Sequence, residues 1–202
     1  MNNLIKNIEQ LRGSTIKNVI DSRIAEFSSV PKDFNSLFRE LAYCILTAGT
    51  SAELGLKTIS HLGDTLFQGS QEEIQKKLKE VYRFHTIRAG YLYKARNNFR
   101  EINVNDKNIR DLLVQNIKGL GMKEASHFLR NIGFNDYAII DFHIIDILTK
   151  NNIIEPIKSK SLSPKKYTEI ENVLKNLADR LNLSPGELDL HLWYLETGKI
   201  LK

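Results

Sequence analysis

Lys123 and Asp141 are the residues whose types and spacing most invite a reaction. Lys123 follows Gly119-Leu120-Gly121-Met122, and Asp141 lies 18 positions further on, inside the apolar run Ala138-Ile139-Ile140-Asp141-Phe142-His143-Ile144-Ile145. A neutral lysine amine is a nucleophile that forms imines at sugar and carbonyl carbons. In the first turn of a helix a cation opposes the helix dipole, which favours the neutral form. The plainer alternative is a solvated surface lysine. Asp141 stands where a carboxylate makes a good helix N-cap. Capping and catalysis are compatible, because a cap fixes the side chain. A fixed carboxylate can stabilise a sugar cation or activate an attacking amine.

Such side chains need elements to hold them. Residues 109–133 read as two short amphipathic helices flanking Gly119-Leu120-Gly121. Two glycines one residue apart permit a tight turn and leave backbone N–H groups unshielded. Those groups sit at the N-terminus of a helix over 122–132, where a DNA phosphate is a natural occupant. Met122, Ala125, Leu129 and Ile132 share one arc of that helix, Lys123, His127 and Arg130 share another, and Gly133 stops it.

Helical spacing recurs along the rest of the chain. Leu4, Ile8 and Leu11 make one stripe, and Val19, Ile20 and Ile24 a second. Leu37, Phe38, Leu41, Ile45 and Leu46 make a third, preceded by Asn35-Ser36 as a capping pair and ending near Gly49. Further helices are expected over 53–62, 71–81, 86–100, 107–116, 142–150, 164–182 and 184–197, with Ser163-Pro164 and Ser184-Pro185 opening the last two. Strand-like alternation is scarce, so the class is all-α with about ten helices. Segment 155–166, basic and serine-rich, is the one clear loop.

With 202 residues and 42% apolar content, the chain can bury one substantial core or two small lobes sharing a cleft. A net charge of +5 suits a polyanionic partner, because lysine and arginine gain affinity by releasing phosphate counterions. Cys44 is the only cysteine, which excludes an internal disulfide and any four-cysteine zinc or iron–sulfur site. Its apolar neighbours make it a buried, inert thiol. The first ten residues lack the apolar core of a signal peptide, and no stretch is long enough for a membrane span. We expect a soluble, cytoplasmic monomer without membrane association.

At the hairpin Gly119-Leu120-Gly121-Met122-Lys123 and at Asp141, the chain resembles the helix-hairpin-helix DNA glycosylase superfamily, of which endonuclease III is a member. The resemblance spans roughly residues 36–150. It implies two helical lobes flanking a DNA-binding cleft, with Lys123 as Schiff-base nucleophile and Asp141 as essential carboxylate. The implied domains are 31–132, containing the hairpin motif 109–132, and 1–30 plus 133–202, carrying Asp141 and the C-terminal tail. Tyr82-Arg83-Phe84 is similar to the superfamily's turn that wedges a side chain into DNA, with Phe84 at the wedge position; a core aromatic is the other reading of Phe84. Residues 47–51 resemble the second insertion element. Arg83, Phe84, Gly49, Thr50, Gly119 and Gly121 are therefore the expected DNA contacts. Two features depart from endonuclease III and many relatives: the cysteine quartet is missing, and Lys118 replaces a hairpin proline.

The end of the chain, Leu192-Trp193-Tyr194-Leu195-Glu196-Thr197-Gly198-Lys199-Ile200-Leu201-Lys202, resembles the small, archaeal-type 8-oxoguanine DNA glycosylase/AP lyases. That resemblance places Trp193 and the terminal Lys202 in the base-recognition pocket. Oxidised guanine carries a proton on its five-membered ring that guanine lacks, and a chain-terminal carboxylate can accept it, while an indole offers stacking. The partner implied is double-stranded DNA holding an oxidised guanine or an abasic site. No metal or organic cofactor is needed; the carbonyls of Ile117 and Leu120 could hold a monovalent cation. Two alternatives remain: a glycosylase for another lesion, and a non-catalytic hairpin module that binds DNA.

Overall fold

The computed structural model describes residues 1–157 and 162–201. All regular structure among them is helical, as expected. The helices are α1 (Asn2–Arg12), α2 (Ile16–Ser28), α3 (Phe34–Thr47), α4 (Ala52–Leu62), α5 (Thr65–Gln68), α6 (Gln71–Val81), α7 (His85–Asn98), α8 (Ile109–Asn116), α9 (Met122–Asn131), α10 (Phe142–Lys150), α11 (Pro164–Leu181) and α12 (Pro185–Thr197), with a 3₁₀ turn at Phe99–Glu101. No helix among the described residues is long and apolar enough to cross a membrane. Two compact units divide the chain: Val30–Phe128, and Met1–Ser29 together with Leu129–Lys202.

Caps explain most boundaries. Ser51, Ser70, Ser163 and Ser184 each accept a hydrogen bond from the third amide of the helix that follows. Ser70 with Glu73 and Ser184 with Glu187 complete capping boxes. One expected cap is corrected. Asn35 and Ser36 lie inside α3, and the cap is Asp33, whose Oδ1 accepts from the Ser36 amide at 3.0 Å. All three residue types cap well, so their order alone did not choose between them. Val19 also leaves its expected stripe: it is exposed, while Ile20 faces the core. The short α5 was not anticipated. The loop expected over 155–166 falls partly outside the described residues, and α11 begins at Pro164.

In the Val30–Phe128 unit, α3 is the central helix, buried from Leu37 to Leu46 except at Arg39, which is exposed. Its Phe38 stacks on Phe34 at 5.5 Å, and Phe99 meets Phe128 edge-on at 5.6 Å. Cys44 is buried here. In the other unit, α12 packs against α1, α2, α10 and α11. Ile20, Phe27 and Leu190 form a buried cluster there, and Ile200 packs against it, which ties down the tail after α12.

Candidate active site and DNA-contacting surface

Between α8 and α9 the chain reverses through a single turn. The Leu120 amide donates to the Ile117 carbonyl at 3.2 Å, and Gly119, third in the turn, has φ +100°. That conformation admits glycine at little cost. A Cβ on Gly119 would also sit 2.6 Å from Cδ2 of Tyr91, so the ring closes the space that a side chain would need. Ile117 and Leu120 are both buried and pin the turn from its two sides. The Gly121 amide donates to Oε2 of Glu124 at 3.2 Å, and the Ala125 amide closes the first helical turn onto the Gly121 carbonyl at 2.9 Å.

Lys123 therefore stands in the first turn of α9, about 30% exposed, with Nζ 3.8 Å from Oε1 of Glu124. The sequence reading treated the lysine as an isolated cation at a helix start and overlooked this carboxylate. The other members of its arc are buried. His127 meets Tyr43 edge-on at 5.6 Å. Arg130 pairs with Asp189 at 2.6 Å, donates to Oδ1 of Asn131, and lays its guanidinium 4.8 Å from the Phe27 ring centre. Lys123 alone of the three is available to a substrate, and Arg130 anchors the far end of the same helix.

Asp141 is the N-cap of α10, its Oδ1 accepting from the Ile144 amide at 3.0 Å. The segment leading to it is buried outside any helix, and α11 supplies partners for its backbone. Glu171 accepts from the Ala138 amide at 3.1 Å, and the Tyr167 hydroxyl donates to the Ala138 carbonyl at 2.8 Å and meets the Ile140 amide at 3.2 Å. The carboxylate is thus fixed from both sides along the chain. Two residues later, His143 touches Trp193 edge-on at 5.1 Å, and the Phe142 ring centre lies 4.0 Å from that of His143. Glu196 lies 4.0 Å from His143 and 3.6 Å from Lys150. So α10 and α12 bring the elements of Asp141 and Trp193 together. Lys202 lies outside the described residues.

The expected wedge and insertion element also meet. Phe84 is the N-cap of α7 and is exposed, with the Arg83 guanidinium 4.3 Å from its ring centre. Arg83 donates to the Gly49 carbonyl at 3.1 Å, Arg88 to the Ala48 carbonyl at 2.8 Å, and the Tyr82 hydroxyl to the Leu46 carbonyl at 2.5 Å. Leu46 lies in the last turn of α3, whose final carbonyls lack helical partners, and Ala48 and Gly49 directly follow that helix. Thr50 turns its hydroxyl inward, onto Leu46, at 2.7 Å. Gly49 has φ +79° and open space where a Cβ would be.

Residues 20–183 match the family described as 8-oxoguanine DNA glycosylase. The chain belongs to the 8-oxoguanine DNA glycosylase family. An 8-oxoguanine DNA glycosylase/AP lyase from Methanocaldococcus jannaschii is 48% identical, covering 98% of this chain and 99% of that protein. One from Korarchaeum cryptofilum is 44% identical over the whole chain and 99% of that protein. The crystal structure of the Methanocaldococcus jannaschii 8-oxoguanine glycosylase/lyase in complex with a 15mer DNA containing 8-oxoguanine is similar to this chain with a TM-score of 0.93, over 98% of this chain and 99% of that one. The Thermotoga maritima 8-oxoguanine DNA glycosylase, at 36% identity, gives a TM-score of 0.93 over the whole chain and 99% of its own.

Within this 8-oxoguanine DNA glycosylase family member, sequence reasoning missed Glu124, Arg88, Tyr91 and the His143–Glu196 pair. Glu124 alone carried a readable pattern: a carboxylate three residues after a helix cap reaches back to the cap amide. The others depend on which helix packs against which, and periodicity does not report that.

Proposed function

We propose that this chain excises 8-oxoguanine from double-stranded DNA and cuts the backbone at the abasic site, with Lys123 as nucleophile. One observation carries the assignment of the nucleophile: Lys123 is about 30% exposed in the first turn of α9, two residues past the Gly119–Gly121 turn, while its arc-mates His127 and Arg130 are buried. The names of the relatives support the lesion.

DNA phosphates dock at the hairpin, drawn by the N-terminus of α9 and by the chain's positive charge. Phe84, with Arg83, Gly49 and Thr50 beside it, fills the gap left by the extruded nucleotide. The base stacks on Trp193 and is read by Lys202 and the segment that carries it. Lys123, once it has given up its proton, attacks C1′ of the sugar. The bond from C1′ to the base breaks, and the base leaves with the bonding electrons. Asp141 stabilises the positive charge that builds on the sugar. The C1′–O4′ bond then opens, O4′ taking a proton from the attached amine, to give a protonated imine. This acidifies the adjacent C2′ proton, whose loss expels the 3′ phosphate by β-elimination, and hydrolysis of the imine frees Lys123. None of these steps calls on a metal or organic cofactor. The Ile117 carbonyl accepts one amide and keeps a second lone pair, so with the Leu120 carbonyl it remains a candidate ligand for a monovalent cation. The enzyme works as a monomer in the cytoplasm.

The test is borohydride trapping on duplexes that differ only in the lesion. The 8-oxoguanine duplex should trap, and Lys123→Gln should bind DNA but form no adduct. Wild-type adduct yield from Lys123→Gln would assign the nucleophile to another amine, and preferential trapping on an oxidised pyrimidine would change the lesion.

A further inference from the structure

Helix α7 carries one stripe of side chains that reaches all three parts of the proposed DNA-contacting surface. Phe84, Arg88, Tyr91 and Asn98 recur at i, i+4, i+7 and i+14, which places them on one face of a helix. At the start of the stripe is the wedge. One turn later Arg88 holds the Ala48 carbonyl at 2.8 Å, and Arg83 just ahead of the helix holds Gly49 at 3.1 Å. At the next turn the Tyr91 ring lies against Gly119, at the place where φ +100° has left the turn without a side chain. Two cations face that ring, the Arg88 guanidinium at 5.5 Å and the Lys118 ammonium at 5.7 Å from its centre. At the far end Asn98 donates to the Asn116 carbonyl at 2.9 Å, the last residue of α8. The insertion loop, wedge and hairpin lie far apart in sequence, and this helix touches each one.

We propose that Tyr91 is a positioning residue that sets the hairpin in register with the wedge, so that phosphate grip and gap filling are assembled before DNA arrives. This rests on the reading of Phe84 and the hairpin as DNA contacts. The ring atoms nearest to the place of a Gly119 Cβ are the carbons Cδ2, Cε2 and Cγ. A flat face is needed there because the turn has no Cβ to fill the space. Loss of the ring frees the hairpin to settle at other distances from the wedge. Binding then loses the benefit of preorganisation, while the reacting groups Lys123 and Asp141 are untouched.

The experiment compares Tyr91→Leu and Tyr91→Phe with the wild-type chain on a duplex containing one 8-oxoguanine. Tyr91→Leu should bind about tenfold more weakly, and its plot of log affinity against log salt should be shallower by about one phosphate contact. Its single-turnover excision at saturating DNA should stay near wild type, and Tyr91→Phe should restore both affinity and salt slope. Unchanged affinity and slope in folded Tyr91→Leu overturns the proposal. So does a Tyr91→Phe as defective as Tyr91→Leu, because that assigns the effect to the hydroxyl. If Tyr91→Leu folds poorly, Arg88→Met carries the test: it should reduce the preference for duplex over single strand, and an unchanged preference overturns the proposal. Phe84→Ala and Gly119→Ala serve as controls. If neither weakens duplex binding, the assignment of the DNA-contacting surface fails; if both do while Tyr91→Leu does not, only the role of Tyr91 fails.

Discussion

Asp141 caps α10 and is proposed to stabilise charge on the sugar, and substitution can separate the two roles. Its Oδ1 takes the Ile144 amide at 3.0 Å, on a residue that is itself buried. Asn caps a helix about as well as Asp, so Asp141→Asn keeps that hydrogen bond to within a few tenths of a kcal/mol. Asp141→Ala leaves the amide unmet and costs about 0.5–2 kcal/mol. In a chain of 202 residues each kcal/mol shifts Tm by roughly 2–4 °C, so Ala should lower Tm by about 1–8 °C and Asn by about 1 °C. The negative charge is missing from both variants. Removing one preorganised stabiliser of transition-state charge costs about 10²–10³ in rate, or about 3–4 kcal/mol of barrier. Thermal melts give the first quantity and single-turnover excision of 8-oxoguanine at saturating enzyme the second. The two variants should differ in Tm and agree in lost excision. An Asn variant that melts near wild type and excises near wild type would reduce Asp141 to a helix cap. Excision losses that track the Tm losses would refute the reasoning as well.

Three further outcomes are expected. Lys202→Ala removes one ammonium group from the proposed recognition segment and should lower 8-oxoguanine excision while cutting at a preformed abasic site persists; survival of both activities would reopen the lesion assignment. Arg130→Met breaks the buried pair with Asp189 and should destabilise the fold by about 3–5 kcal/mol in urea, whereas Arg130→Met with Asp189→Leu should recover most of that loss. Burial holds the His191 imidazole below its ordinary value, partly opposed by its bond to the Glu187 carbonyl at 2.8 Å, and its Nε2 is buried without a hydrogen-bond partner. The unfolded chain takes up this proton as pH falls through about 6.5 and the folded chain resists it. The associated stability is therefore full above that pH and is lost below it, and His191→Gln should flatten the fall of Tm in acid.

Much of the scaffold was legible because its helices announce themselves. The stripes of α1 and α3, the Ser-Pro starts of α11 and α12, and the Gly119-x-Gly121 turn all follow from local rules that act within one or two turns. The expected α6 matches the observed Gln71–Val81, where Ser70 and Glu73 close a capping box. Local rules failed where they offered equal choices, as at Asp33, Asn35 and Ser36. They were silent where a partner lies far along the chain. Nothing in Ala138-Ile139-Ile140 names Tyr167 and Glu171 as the residues that satisfy its backbone. Nothing beside Tyr91 names Gly119. The candidate site divides the same way: Lys123 and Asp141 could be picked out from type and spacing, whereas Glu124 and His143 acquire meaning only from what they touch.

Trp193 is the only tryptophan in the chain. It lies half-buried on α12 with an imidazole edge against it. Indole emission responds to solvent, to stacked rings and to nearby charge, and here all of it originates at one position. The protein therefore carries its own optical probe at the surface proposed to receive the extruded base. Capture of that base should register as quenching without any label, on the time scale of the event, and separately from the strand cut that follows.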